Sequence, residues 1–471
     1  MSSCIFVCLN HTKTEYTVSH IKTQFAKGKP RGPDFSKFSS LGNDFILGFH
    51  LHLYDELRLT DTIFQREGEV LILFSGEIFN LSELVAFLFD SFEDDPHSPP
   101  PPPNSIDIHK ILLRIYLRYG FEYLTVLLKG IFSIVIVDQS STLEKHKIYV
   151  ARDPIGISPL YLAYSDNGFV AFASDKNMIS ELASHVHSFP PGTYSVYYST
   201  PQSTSKEWKK AIKCKPYITL PTPIFNSTQY HSHQQWQMQL ICNMVLEIEA
   251  QCPANTPVAC FISGGLKSSI IAAILSKYLA RMGKPPLLTF FFGVTDNPRD
   301  LDRVQEFASY IGSTHTNILF EPGQINLVST RNIEHTLFHL ASTFITQTTD
   351  VKVIFTGDGM DELIGDRIQT DEPFLFDMLV RREIMNFHQL TGMRIEHTMY
   401  ANSLDVRIPF MSQNIIQFML SMPMSIRIHK REMVKSAFIQ CASSNPFMDS
   451  YLDTWSIYSI SHSPVESAFP K

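Results

Sequence analysis

The sequence predicts two domains, the first of the α+β class and the second of the α/β class. Three observations support this prediction. The chain has 471 residues, which is more than one hydrophobic core usually organises. A segment rich in Ser, Thr, Pro and Gln divides the chain, and the order of strands and helices differs on its two sides. We therefore predict a domain over 1–200, a linker over 201–235 and a domain over 236–471.

Short apolar runs separated by turns predominate in the first domain and predict strands. The predicted strands are 4–9, 45–53, 70–74, 131–137, 147–150 and 169–174, and the predicted helices are 81–90 and 107–119. This order is typical of a layered α+β domain built on antiparallel sheets. Between the two helices, 93–105 is acidic and then proline-rich, which predicts an exposed and stiff loop.

Helical and strand patterns alternate in the second domain. The predicted helices are 236–250, 268–282, 302–311, 376–390 and 412–421, and the predicted strands include 287–294 and 353–355. Alternation of this kind predicts a parallel sheet with helices on both faces.

Composition excludes several classes of protein. Hydrophobic residues make up 44% of the chain and the net charge is a scattered −7, so the chain is globular without a basic stripe for nucleic acid. Seven cysteines without CxxC spacing predict neither a disulfide framework nor a zinc site. Neither a signal peptide nor an apolar run long enough for a membrane span is visible, so we expect a cytoplasmic protein.

The most informative segment is VACFISGGLKSSIIAAILSKYLARM at 258–282. An apolar strand pattern leads into a turn of Ser and Gly and then into a helical pattern. Such an arrangement directs backbone N–H groups and a helix N-terminus at one point, which is how proteins hold phosphate. The alternative is a glycine pair that forms only a tight turn. The segment thus favours nucleotide chemistry.

A second segment, VIFTGDGMDELIGD at 353–366, places Asp358, Asp361 and Glu362 after an apolar strand. Acidic clusters in loops are most often solvated surface. Glycines at 357 and 359 instead favour carboxylates at a strand end. Because ligands bind at the carboxyl ends of strands in open α/β sheets, we expect both segments to face one cleft.

These segments resemble the synthetase domain of glutamine-dependent asparagine synthetases, and SGGLKSS is similar to the SGGLDSS pyrophosphate loop of ATP pyrophosphatases. The further matching motifs are ANSLDVRIPFM (401–411), RGPD (31–34), FSGEIFN (74–80), KGIFSIVIVD (129–138), ARDPIGISPLY (151–161), FASDKNMI (172–179) and PPGTY (190–194). The resemblance covers about 2–440. It implies an Ntn-hydrolase-like glutaminase sandwich, then a parallel-sheet, ATP-pyrophosphatase-like synthetase domain that uses ATP, aspartate, and glutamine or ammonia.

In the glutaminase domain, the resemblance implies a nucleophilic N-terminal cysteine exposed by removal of the initiator methionine, where this chain has Ser2. Ser75 replaces an oxyanion-hole asparagine, and His52 stands near the position of a glutamine-binding arginine. The implied remnant of the glutamine pocket is His52, Ser75, Gly76, Glu77 and Asp107. Because one lost oxyanion donor costs about 10²–10³ in rate, we predict that glutamine hydrolysis is lost.

In the synthetase domain, the resemblance implies that Asp358 assists acyl-adenylate formation, that Arg431 stands for a pyrophosphate-binding lysine, and that Asp361 is a magnesium ligand. The implied nucleotide-binding residues are Phe261 and Phe292 as adenine walls, Ser263, Gly264, Gly265, Lys267, Ser268 and Ser269 at the pyrophosphate, and Thr356 and Gly357 beside the ribose and adenine.

Lys267 occupies the place of a second magnesium ligand. Magnesium requires oxygen ligands, so we predict ATP binding in which tight magnesium binding is lost. A lysine in a phosphate loop neutralises phosphate directly, whereas the alternative is a side chain that points into solvent.

Two hypotheses remain open. The first is an ATP-dependent enzyme that amidates aspartate to asparagine. The second is a scaffold or nucleotide-responsive binding module of the same fold. The combination of Ser2, Ser75 and Lys267 is similar to a divergent group of asparagine synthetase domain-containing proteins. The sequence itself points to no protein partner.

Overall fold

In the computed structural model, the chain divides into two compact units, Met1–Thr219 and Leu220–Lys471. The structure describes residues 3–41, 45–52, 65–90, 107–140, 145–199, 207–222, 233–294, 298–321, 323, 333–429, 432–434 and 437. The predicted loop at 93–105 lies outside these residues. Among the helices described, none is both long and apolar enough to cross a membrane.

The first unit is built on two antiparallel six-stranded sheets. Its strands are β1 (Ser3–Leu9), β2 (Phe35–Leu41), β3 (Phe45–Leu51), β4 (Gln65–Glu67), β5 (Val70–Ile78), β6 (Gly130–Asp138), β7 (His146–Arg152), β8 (Tyr161–Tyr164), β9 (Val170–Ala173), β10 (His185–Ser188), β11 (Thr193–Ser199) and β12 (Lys209–Pro216). The sheets have the orders β10-β8-β9-β1-β3-β2 and β12-β11-β7-β6-β5-β4.

The sheets pack face to face because their strands alternate between two apolar faces. In β1, Ile5 and Val7 contribute to a core shared with β6 and β7 of the other sheet, whereas Phe6 faces away from that core. Helix α1 (Val18–Ala26) covers the outer face of the first sheet, and α2 (Leu81–Asp90), α3 (Ile108–Tyr119) and α4 (Phe121–Leu127) cover that of the second. The predicted glutaminase-type sandwich is confirmed.

The predicted linker at 201–235 is wrong over part of its length. Strand β12 pairs with β11 at the edge of the second sheet, with Thr193 opposite Pro216 and Tyr198 opposite Lys209. Its sequence, KKAIKCKP, is lysine-rich and largely exposed, so its composition resembles that of a linker. Lysines are common on edge strands because they oppose pairing with other chains.

The second unit contains a five-stranded parallel sheet with the order β15-β14-β13-β16-β17. Its strands are β13 (Val258–Phe261), β14 (Leu288–Val294), β15 (Thr314–Phe320), β16 (Val353–Phe355) and β17 (Asp405–Arg407). Its helices are α5 (His233–Ala250), α6 (Leu266–Arg281), α7 (Pro298–Tyr310), α8 (Ile333–Thr348), α9 (Met360–Ile364), α10 (Pro373–Asn386), α11 (Thr391–Thr398), α12 (Gln413–Ser421) and α13 (Met424–Arg427). The predicted parallel-sheet architecture is confirmed.

The strand order places a switch point at the middle of this sheet. From β13 the chain adds β14 and β15 on one side, and then returns to add β16 and β17 on the other. The loops that leave β13 and β16 therefore run in different directions and open a crevice at their carboxyl ends, which is where such sheets bind ligands.

Candidate functional site

The two motif-bearing turns of the second unit lie side by side. Strands β13 and β16 pair in parallel, with Val258 opposite Val353 and Cys260 opposite Phe355. Each strand then ends in a glycine-containing turn that starts a helix, α6 after β13 and α9 after β16. The prediction that both turns lie at the carboxyl edge of the sheet is confirmed.

The turn after β13 has the geometry of an anion-binding loop. Gly264 has a φ of +73°, a conformation that residues with a side chain rarely adopt, and Gly265 begins α6 without a side-chain cap. The backbone N–H of Ser263 donates to Ser268 Oγ at 3.1 Å, and that hydroxyl donates to the carbonyl oxygen of Gly265 at 3.2 Å. The loop is thus braced internally, and the first turn of α6 faces the cleft uncapped.

The turn after β16 approaches α6 closely. A Cβ atom at Gly357 would lie 2.9 Å from the Cβ atom of Lys267 and 3.0 Å from the backbone nitrogen of Ser268. A side chain at position 357 would therefore push the two turns apart. Gly359, with a φ of +89°, starts α9 and turns the chain so that Asp361 lies in the first helical turn.

Lys267 bridges the two turns. Its Nζ atom donates to Asp361 Oδ2 at 2.5 Å, and the side chains remain 32% and 17% exposed, respectively. A more exposed guanidinium, that of Arg367, lies 3.9 Å from the same oxygen. The hypothesis that Lys267 points only into solvent is wrong, because its ammonium group forms an ion pair within the cleft.

This arrangement does not fit the two-carboxylate magnesium site that the resemblance implies. One of the two implied ligand positions carries an ammonium group, which cannot coordinate a metal, and that group occupies the oxygen that the other position offers. The second oxygen, Asp361 Oδ1, is buried and has no hydrogen-bond partner among the described residues. Within the described part of the chain, no group of three or more His, Cys, Asp or Glu residues forms a metal site.

Asp358 is held by a second ion pair. Arg394 Nη2, on α11, lies 2.5 Å from Asp358 Oδ1, and Nη1 of the same guanidinium donates to Glu334 on α8. Burial raises the pKa of Asp358, but the charge and hydrogen bond of Arg394, together with the charge of Lys267, outweigh burial and lower the pKa overall. Asp358 is therefore ionised at neutral pH and engaged by a buried cation.

The two predicted adenine walls belong to a cluster of three rings. Phe261, at the end of β13, and Phe292, in β14, meet edge to face with ring centroids 5.0 Å apart. Phe338 on α8 packs against both, at 5.8 Å from Phe261 and 4.7 Å from Phe292. The guanidinium carbon of Arg394 lies 4.2 Å from the centroid of Phe338. The rings and the ion pair at Asp358 thus form one continuous surface.

Other predicted residues contribute to the framework. The backbone N–H of Thr356 donates to the carbonyl oxygen of Arg407 at 3.1 Å, and Ser269 is buried in the first turns of α6. Arg407 itself is buried, with its guanidinium 2.9 Å from Asp405. Arg431 lies outside the described residues, so its role stays a prediction.

In the first unit, the side chain at the predicted oxyanion position, Ser75, forms a hydrogen bond within the framework. Ser75 is buried in β5 and its Oγ atom donates to the carbonyl oxygen of Ser3 at 2.8 Å. Gly76, with a φ of +127°, allows the backbone to pass Ile131 closely, because a Cβ atom there would lie 2.0 Å from its carbonyl oxygen. Glu77 follows in the same strand. Ser2 lies outside the described residues.

The remaining pocket residues are also engaged. Asp107 caps α3 by accepting a hydrogen bond from the backbone N–H of His109 at 3.0 Å. Burial raises the pKa of Asp107, but the contacts with His109 outweigh it and lower the pKa. His52 is buried, with its Nε2 atom 4.0 Å from Asp34. The polar groups of Asp107 and His52 thus contact neighbouring residues of the first unit.

Sequence reasoning missed three residues of the cleft, namely Arg394, Glu334 and Phe338. They come from α8 and α11, which carry none of the quoted motifs. The spacing of Glu334 and Phe338, one helical turn apart, places both on one helix face. The spacing shows that Glu334 and Phe338 share a helix face. It does not show that this face lies close to Asp358.

Two family models match the chain. The model described as glutamine amidotransferase domain matches residues 1–213, and the model described as asparagine synthase matches residues 247–372. The chain is 26% identical to the asparagine synthetase (glutamine-hydrolyzing) of Gallus gallus, over 86% of this chain and 75% of that protein. It is 28% identical to the protein of that name from Cricetulus griseus and 26% identical to that of Homo sapiens, over the same shares.

Solved structures with partial likeness include the allosteric regulatory enzyme of purine biosynthesis, at 12% identity and a TM-score of 0.33, covering 68% of this chain and 80% of that one. Glutamine phosphoribosylpyrophosphate amidotransferase from B. subtilis gives 10% identity and a TM-score of 0.33, covering 81% and 79%. Scores this low carry no argument, so the architecture rests on the sheets and the family models.

Proposed function

The chain belongs to the asparagine synthetase family, and we propose that it retains the family's nucleotide-phosphate site while its glutaminase is inactive and its synthetase activity is weak or absent. The observation that carries this proposal is the ion pair between Lys267 and Asp361. A positive charge fixed at the metal position provides for phosphate binding what the family's magnesium ion provides, without the coordination geometry that a metal imposes.

The phosphate site has three sources of positive potential. Backbone N–H groups of the loop after β13 and the uncapped N-terminus of α6 face the cleft. Lys267 adds an ammonium group whose charge Asp361 partly balances and whose side chain is one third exposed, so a phosphate oxygen can reach it. These features support binding of the triphosphate of ATP as substrate or effector.

Weak synthetase activity follows from the state of the carboxylates. Asp358 is bound to Arg394, so approach of a second carboxylate, such as that of aspartate, must compete with a buried ion pair. Asp361 is bound to Lys267 and does not offer both oxygens to a metal. An enzyme that must form an acyl-adenylate would therefore work with fewer charges to stabilise the transition state.

The glutaminase proposal rests on the first unit. A serine hydroxyl at position 75 is shorter than an asparagine amide and already donates to Ser3, so it does not supply the oxyanion donor. Asp107, the implied ligand of the substrate amino group, already accepts a hydrogen bond as the cap of a helix. We expect no glutamate release above background from glutamine. A coupled glutamate assay showing ordinary turnover would contradict this half of the proposal.

Calorimetric titration of ATP tests the phosphate site. We expect similar affinity in magnesium and in EDTA, and at least tenfold weaker binding after Lys267→Ala, which corresponds to about 1.4 kcal/mol. The matched control is Lys277→Ala, a substitution on the same helix several turns from the loop. Strict dependence on magnesium, or no binding under either condition, would contradict the proposal.

Aspartate-dependent exchange between ATP and pyrophosphate tests the synthetase half. Exchange at background level, in a protein that binds ATP by calorimetry, supports a binding module. Exchange at the rate of an active family member would instead establish a working enzyme in which Lys267 replaces the metal ligand.

A further inference from the structure

The rings of Phe261, Phe292 and Phe338 determine whether the cleft can hold the base of a nucleotide. A base that stacks between two aromatic faces needs those faces nearly parallel and about 7 Å apart, twice an ordinary carbon–carbon contact distance. Phe261 and Phe292 have centroids only 5.0 Å apart and planes inclined by 74°. No purine fits between them in this arrangement.

Phe338 fills the angle between these two rings. It is inclined by 84° to Phe261 and by 65° to Phe292, so each ring presents an edge to the face of another. Edge-to-face pairs of this kind are stabilising. The three rings therefore pack against one another, and a base would have to displace Phe338 to lie between Phe261 and Phe292.

Arg394 holds Phe338 in place. Its guanidinium lies over the ring at 4.2 Å, while its nitrogens contact Asp358 and Glu334. The Arg394 side chain is only 10% exposed, so moving it would separate two ion pairs and one cation–π contact in a poorly hydrated place. The cluster is consequently resistant to opening by a ligand.

The phosphate end of the cleft has no such cover. Ser263 and Gly264 are exposed, and Lys267 is half-buried. We propose that Phe338 and Arg394 are specificity-determining residues that close the base end of the cleft, so that the site binds a short linear polyphosphate without recognising the base. The ligand class is a triphosphate chain, whether free or attached to any nucleoside. This inference rests on the proposed function, which identifies the loop after β13 as the phosphate site.

Calorimetry on the full chain in EDTA, with ATP, GTP and sodium tripolyphosphate as ligands, tests the proposal. We expect the three dissociation constants to agree within about threefold. Phe338→Ala should uncover the faces of Phe261 and Phe292 and make ATP bind about tenfold more tightly than tripolyphosphate, because stacking of a base on an aromatic ring is worth that much or more.

Two further variants keep the result interpretable. Phe338→Leu removes the ring but retains apolar packing, so it replaces Phe338→Ala if that variant is poorly folded. It should show the same change in the ratio of the dissociation constants of tripolyphosphate and ATP. Phe344→Ala deletes an exposed ring from the same helix and should leave the ratio unchanged.

The possible failures are distinguishable. Wild-type protein that binds ATP at least tenfold more tightly than both GTP and tripolyphosphate overturns the inference alone. Folded Phe338 variants whose ratio stays at the wild-type value overturn the role of Phe338. Absence of binding by all three ligands overturns the proposed function and this inference together.

Discussion

The cleft of the second unit and the proposed pocket remnant of the first both depart from the residues that the family resemblance implies for catalysis, but in different ways. In the cleft, a charged residue replaces a charged residue of opposite sign, and Lys267 pairs with the remaining carboxylate, Asp361. In the remnant, a short hydroxyl replaces an amide, and Ser75 bonds to the backbone of Ser3. The Lys267 side chain stays partly exposed beside Asp361, whereas the Ser75 side chain is buried in the framework.

The difference lies in what each new side chain finds nearby. An ammonium group beside an unpaired carboxylate gains a strong interaction while remaining partly hydrated, so the cleft keeps charge that a ligand can use. A buried hydroxyl must satisfy its hydrogen bond locally, and the nearest backbone carbonyl provides the partner. If the proposed function holds, the second unit kept a binding site because its replacement residue is ionic and partly exposed.

The largest effect is expected from removing the buried cation of the cleft. Arg394→Met should lower the free energy of unfolding by about 3–5 kcal/mol, because Asp358 loses its partner in a buried place. The lowered pKa of Asp358 makes this contribution complete above its unfolded value near 3.8 and lost as pH falls through the folded value. Urea unfolding of the wild-type protein and the variant at pH 7 and at pH 3 measures this contribution. The difference in their free energies of unfolding should be smaller at pH 3.

The matched control for that experiment is the double variant Asp358→Asn with Arg394→Met, which removes both charges and should recover much of the lost stability. Equal destabilisation of the single and double variants would show that packing over Phe338, and not the ion pair, is the source.

The next effect concerns metal dependence. Lys267→Asp places a second carboxylate beside Asp361, so binding of ATP should weaken in EDTA and recover at least tenfold when magnesium is added. Titration calorimetry under both conditions measures the ratio, with Lys277→Asp as the control on the same helix. A ratio that stays near one would mean that Asp361 is not placed to bind metal and would weaken the comparison.

In the first unit, restoring the implied oxyanion-hole asparagine should not restore glutamine hydrolysis. Ser75→Asn supplies the amide that the resemblance implies, but it removes the hydroxyl that donates to Ser3 and adds bulk at a buried position. We expect glutamate release to stay at background and stability to fall by about 1 kcal/mol. Ser75→Ala separates the lost hydrogen bond from the added bulk. Measurable glutamine turnover in Ser75→Asn would show that the pocket had kept its catalytic geometry.

The smallest effect comes from a carboxylate near the ion pair. The pKa of Glu383 is raised by burial and by the charges of Glu362 and Asp361, against those of Arg367 and Arg382. Ionisation of Glu383 therefore costs stability, and the cost develops as pH rises above the unfolded value near 4.5. Glu383→Gln should stabilise the protein by about 0.3 kcal/mol at pH 7, since solvent screens a half-exposed group. A thermal-melting difference that persists at pH 4 would point to another cause.

The sequence was sufficient for much of the fold and for the pairing of the two turns. Apolar runs and helical patterns located roughly half of the described strands and helices, and the rule that parallel strands end at one edge predicted that Lys267 and Asp361 lie close together. Strand β12 was missed because its exposed lysines resemble a linker. Arg394 and Phe338 were missed because their contacts depend on how α8 and α11 pack against each other, which local patterns do not encode.

The pairing of β13 with β16 also has a kinetic consequence. Val258 pairs with Val353 across a long intervening segment that contains β14 and β15. Contacts between residues so distant in sequence form late, because a large loop must close before they are made. The proximity of Lys267 and Asp361 depends on closure of this loop, so we expect ligand-binding competence to appear in the slowest refolding phase, after most helical signal has returned.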